Sequence, residues 1–197
     1  MTHSHDNVHY PNLDTVRYYV TKGANVNCMN EQGYTPLHLA IMNIEDPKDR
    51  LATIKYLIEE GADPNIRNPD GYNILHLAVL EGDLVLVKLT HKGEADVDSQ
   101  TTDYRLTSLH LAVGEENMPI IQYLVETAGA DVNIKNAEGN TAFMEAQNQG
   151  NHEISRYLME HKAQLPQGVP IHLIDHQDEN STDMPGDSNS DIYWDDM

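Results

Sequence analysis

Apolar residues along this chain recur three and four positions apart, the spacing that lays one stripe along an α-helix. Ile54, Leu57 and Ile58 follow it, as do Ile120, Ile121, Leu124 and Val125. An earlier helix is predicted over Leu13 to Thr21, with Val16, Tyr19 and Val20 apolar. A phrase recurs around these stripes: GYTPLHLA at 33–40, GYNILHLA at 71–78, RLTSLHLA at 105–112 and GNTAFMEA at 139–146, at intervals of 38, 34 and 34 residues. A second phrase closes each unit: GANVN at 23–27, GADPN at 61–65, EADVD at 94–98 and GADVN at 129–133. Each unit therefore reads as turn, helix, helix, loop. The longer first interval is assigned to about five extra residues in 44–50, where Pro47 and two acids are expected to interrupt the helix and lengthen the inter-helix turn.

The chemistry of the first phrase fits a helix start. Thr35 supplies an N-cap, and Pro36 sits at the first helical position, where a missing N–H costs nothing. Asn73, Thr107 and Thr141 keep the capping role. Gly33, Gly71 and Gly139 fit turns with positive φ, and Gly23, Gly61 and Gly129 fit helix C-terminal caps. Arg105 and Glu94 stand where other units have glycine, so 92–106 is expected to be the least regular junction.

Two phrases repeated in register identify the chain as similar to ankyrin-repeat proteins over about residues 12–164. The resemblance implies an all-α solenoid of helix-turn-helix units with short β-turn tips. About four full units (31–68, 69–102, 103–136 and 137–164) follow a partial unit at 12–30 and an extension at 1–11. It also implies that His38, His76 and His110, which share one place in the phrase, make structural hydrogen bonds to neighbouring turns. At the far end Ala142, Phe143, Met144 and Glu145 replace the usual phrase, and Gln147, Asn148 and Gln149 are polar, as a terminal cap requires.

Charge divides the chain in two. The whole carries −20, with 12 Lys and Arg against 32 Asp and Glu. Residues 163–197 hold eight acids and no Lys or Arg, so −8 belongs to this tail and −12 to the rest. Such a balance argues against nucleic acid or an anionic membrane as partner. The tail, 165–197, is expected to be mostly disordered, with an apolar island at Val169–Ile174 and a candidate acidic-aromatic recognition segment at Ile192, Tyr193 and Trp194. Ser188 and Ser190 lie among its acids and suit an acid-directed kinase. No run approaches about 18 apolar residues, and the first ten residues have neither a basic nor an apolar region of a signal peptide. One cysteine, Cys28, allows no internal disulfide. A cytoplasmic or nuclear location is expected.

No enzyme is predicted: nothing reads as a nucleophile beside a base or as a phosphate-cradling glycine loop. Cofactors are expected to be none. His3, His5 and His9 are the densest histidine group, but Thr2 favours removal of Met1, which spoils an amino-terminal copper or nickel site. His172 and His176, four apart, have no Cys or acid at zinc spacing, and no metal is expected.

In this architecture a partner lies on the concave face built from turn tips and first helices. The tips present Glu31, Gln32 and Tyr34; Asp70 and Tyr72; Asp103, Tyr104 and Leu106; and Glu138 and Asn140. Behind them stand Met42, Leu80, Glu81 and Glu115. Acids and tyrosines on one face point to a basic, partly apolar segment of another protein, held by a monomer acting as adaptor or stoichiometric inhibitor. Two narrower readings rest on resemblance. The run from Ala95 to Asn133 with the acidic tail is similar to inhibitors of NF-kappaB transcription factors, although no D-S-G-x-x-S motif occurs. Short ankyrin proteins also serve as host-directed effectors of intracellular bacteria or viruses.

Overall fold

The computed structural model describes residues 12–161. The chain divides into two units, Met1–Gln164 and Leu165–Met197, and the second lies wholly outside the described residues. So do the extension at 1–11 with His3, His5 and His9, the island 169–174, His172 and His176, Ser188 and Ser190, and the segment Ile192, Tyr193 and Trp194.

Among the described residues there are only helices, turns and loops. A lone helix α1 (Leu13–Thr21) precedes four hairpins: α2 (Pro36–Asn43) with α3 (Pro47–Glu59), α4 (Ile74–Leu80) with α5 (Leu84–Lys92), α6 (Ser108–Gly114) with α7 (Met118–Gln122), and α8 (Ala142–Asn148) with α9 (His152–Glu160). First helices stack as one row, α2, α4, α6 and α8, and second helices as another, α1, α3, α5 and α7. Between the rows the apolar stripes are sealed: Leu37, Ile54, Leu57, Leu75, Leu86, Leu109, Ile120, Leu124, Phe143 and Leu158 are all essentially inaccessible. None of these helices is long and apolar enough to cross a membrane.

The starts are capped as the phrases require. The Asn73 side chain accepts from the His76 N–H at 3.0 Å, and Thr107 and Thr141 accept likewise from the third residue on. Pro36 occupies the first turn of α2.

The longer first interval has a different cause from the one expected. Every connector between paired helices is three residues, 44–46, 81–83, 115–117 and 149–151, so no inter-helix turn is lengthened. The extra length lies in α3, 13 residues against 9 in α5. Asp46 and Pro47 start this helix rather than break one: Asp46 accepts from the N–H groups of Lys48 and Asp49, both at 2.9 Å. Four residues add about one full turn, which leaves the buried stripe in phase. The second helix of the fourth unit is instead one residue longer than α5, and it absorbs that residue as a π-helical turn, Tyr123–Thr127, continuing α7. Ile120, Ile121 and Leu124 stay buried, whereas Val125, expected in the same stripe, is only half-buried.

The junction at 92–106 keeps the repeat geometry despite its residues. Glu94 and Arg105 take positive φ, 68° and 52°, where the other units use glycine. Its departure is an inserted tip residue. In three tips an asparagine N–H bonds the carbonyl four residues on: Asn30 to Tyr34, Asn68 to Tyr72 and Asn136 to Asn140. In the fourth unit the Thr101 N–H bonds the carbonyl of Leu106, five residues on. Gly71 faces this enlarged tip, and a Cβ there would lie 2.5 Å from the Thr102 backbone nitrogen, so only glycine fits.

Candidate partner-binding face

The histidines hold the tips to the helices. His38 Nδ1 accepts from the Thr35 N–H at 3.1 Å, which leaves the proton on Nε2 to donate to the Tyr72 carbonyl of the next unit at 3.4 Å. His110 repeats the arrangement with Thr107 and the Asn140 carbonyl at 3.1 Å. His76 accepts from Asn73 and donates to the Ser99 carbonyl at 2.9 Å, and the Leu106 carbonyl also faces its ring. Burial lowers the pKa of all three rings, that of His76 to about 4.

The tyrosines at the tips do not form one row. Tyr34 and Tyr72 are half-buried and turn toward His38 and His76, with ring centroids 6.3 and 6.0 Å apart. Tyr104 stands two positions before Leu106, at the tip place held by Gln32, Asp70 and Glu138, and is 65% exposed. Its carbonyl accepts the Ala137 N–H at 2.8 Å, which ties it to the following tip. Leu106 and Asn140 occupy the places of Tyr34 and Tyr72 and are half-buried. Glu31, Gln32, Asp70, Asp103 and Glu138 are exposed at the tips, and Met42 and Leu80 project from the ends of α2 and α4. Glu81 is already engaged within the fold: Arg50 at the start of α3 pairs with it at 3.0 Å. Glu115, its counterpart one unit on, has no such partner among the ion pairs of the described residues.

Four of the expected residues, Tyr104, Leu106, Glu115 and Glu138, come together around a recess of about 310 Å³ between the fourth and fifth units. His110, expected only in a structural role, also lines it, and Leu111, Gly114, Asn136 and Glu145, not expected there, complete it. Both telling substitutions are visible once the phrases are aligned. Gly114 stands where the earlier units have Met42 and Leu80, and Glu145 stands where they have Leu39, Leu77 and Leu111. Glu145 is half-buried and accepts from the Asn136 side-chain amide. Burial, with Glu138 adding to it, raises its carboxyl above the usual carboxylate range. Among the described residues no group of three or more His, Cys, Asp or Glu is arranged to hold a metal ion.

Two stacked rows of paired helices with hydrogen-bonded tips define a helical repeat solenoid. The sequence model described as ankyrin repeats matches three overlapping stretches, 5–101, 44–136 and 75–168, and the chain belongs to the ankyrin-repeat family. No curated protein matches the chain in sequence. Ankyrin repeats are in general protein–protein interaction modules and typically not enzymes.

Proposed function

We propose that this chain is a non-enzymatic module that holds a basic, partly apolar segment of another protein across its tips and first helices, as an adaptor or stoichiometric inhibitor. The observation that carries this reading is the convergence of Tyr104, Leu106, Glu115 and Glu138 on one recess. An exposed tyrosine supplies rigid contact area with a polar end, and the surrounding acids select a cationic partner and speed its encounter. The overall charge of −20 disfavours nucleic acid, and a monomer in the cytoplasm or nucleus suits an exposed, unpaired Cys28.

The test is site-specific photo-crosslinking in native lysate. A photo-reactive phenylalanine is placed at Tyr104 in one variant and at Lys55, exposed on the second-helix row, in another. Crosslinks to basic proteins from position 104, reduced at high salt, are expected. Capture from position 55 alone would overturn the reading.

A further inference from the structure

Three departures from the repeat act together at one point of the array. Gly114 ends α6 where Met42 and Leu80, 49% and 40% exposed, fill the same place in earlier units. Tyr104 replaces Gln32, Asp70 and Glu138 of the other tips and forms one wall, and Leu106 and Leu111 give apolar lining. Glu145 brings a carboxylate into the position of a leucine, beside Glu138 and opposite Glu115 of the preceding unit. The ion pairs among the described residues are Arg50–Glu81, Lys55–Glu59 and His161–Glu126, so no described cation pairs with any of these three. A partly buried carboxylate with only an amide as partner is a poor choice for stability. Its environment improves when a cation arrives from outside.

Resting on the protein-binding reading above, we propose that this recess receives one arginine side chain of the partner segment. The methylene stem lies along Leu106 and Leu111, the guanidinium plane meets the Tyr104 ring, and the N–H groups reach the carboxylates. A guanidinium suits such a site because it is planar, stacks on aromatic rings, is weakly hydrated and carries five donors. A volume of about 310 Å³ is at the small end for a small-molecule pocket, roughly 300 to 1,000 Å³, and accommodates a single long side chain.

The experiment follows backbone amide shifts of the 197-residue protein during titration with a capped Leu-Arg-Leu tripeptide and with its citrulline counterpart, which keeps the shape and removes the charge. The expected result is shifts gathered on Leu106, Leu111, Gly114, Glu115 and Glu138, with the citrulline peptide binding about tenfold more weakly. Gly114→Leu restores the side chain of the earlier units. A Cβ there meets nothing within 4 Å, so the side chain enters without a clash at its base, and the variant is expected to keep the helical circular dichroism and abolish the shifts. Glu145→Gln keeps an acceptor for Asn136 and is expected to weaken the arginine peptide without changing the citrulline one. Equal binding of the two peptides, or binding indifferent to Gly114→Leu, overturns the proposal. Shifts at Tyr34 and Tyr72 in place of the recess overturn it alone and leave the broader reading standing, since that reading fails by crosslinking on the second-helix row.

Discussion

At the scale of single residues, the buried histidines make this fold acid-sensitive in a stated direction. His76 is fully buried, its Nδ1 faces a backbone N–H donor, and its ring is held neutral with a pKa near 4. The unfolded chain takes up a proton below about 6.5, and the folded chain does not until about 4. Stability is therefore complete above 6.5, falls as pH drops toward 4 and levels off below, by on the order of 3 kcal/mol for this ring. Asp98 and Glu145 act in the opposite sense: burial raises both carboxyls, so their protonation on acidification favours the folded state. Urea unfolding at steps of pH checks the balance, and His76→Gln is expected to show a shallower slope between 6.5 and 4. An unchanged slope would remove His76 from the account. A second prediction concerns the ladder between loops. Asn27 donates to the Gly61 carbonyl at 3.2 Å and accepts from the Asp63 N–H, and Asn65 does the same with Glu94 at 3.1 Å and Asp96. Asp98 accepts from the Asp131 N–H at 2.9 Å but has no amide to give, and Asp96 and Asp131 both carry like charge. Asp98→Asn should raise stability by about 1 kcal/mol, seen as a higher urea midpoint. The shared role of the histidines is legible in the sequence because one phrase places them alike, whereas the carbonyl each ring meets, of Tyr72, Ser99 or Asn140, depends on how the next unit stacks.

At the scale of elements, the array tolerates extra residues by a rule of helical phase. Four residues in α3 pass as one more turn, and one residue after α7 becomes a π-helical turn. Each residue rotates a helix by about 100°, so four return the buried face nearly to its starting direction and one does not. Removing residues 47–50 leaves Asp46 to cap at Leu51 and keeps Thr53, Ile54 and Leu57 buried. This deletion also loses the Arg50–Glu81 pair, half-exposed on the glutamate side, so a cooperative transition weakened by about 1 kcal/mol is expected. Removing only residues 49–50 turns Ile54 and Leu57 by about 200° away from the core and should destroy the cooperative transition. Thermal unfolding followed by circular dichroism separates the two. The phrase interval places the extra length near residues 44–50, but as a longer turn interrupted by Pro47 and two acids, whereas it is an added turn of α3. The same residues are a helix start whenever the acid can cap and the proline falls in the first turn.

At the scale of the whole molecule, charge has two effects of opposite sign. A net −20 repels itself in the folded chain and attracts a cationic partner. Raising salt from about 0.1 to about 1 M shortens the screening length from about 10 to about 3 Å. The free protein should then melt at higher temperature while partner crosslinking at Tyr104 falls; a parallel change in both would rule out charge as the common cause. The repeat number, the starts of the first helices and the roles of their capping residues and of the phrase glycines were determined by the sequence alone. Helix periodicity, N-caps and positive-φ turns are local, acting within about a dozen residues, and repetition averages away the exceptions. Only the tertiary structure decided which surface residues meet. Tyr104 and Glu145 are far apart along the chain and belong to different units, and they line one recess because Gly114 leaves space between them. The Tyr104 backbone is tied to the next tip by the hydrogen bond from Ala137, while Tyr34 and Tyr72, two positions further on in their phrases, pack edge-on against His38 and His76 of their own units. Contacts of this kind depend on how one unit stacks on the next, which no single phrase encodes.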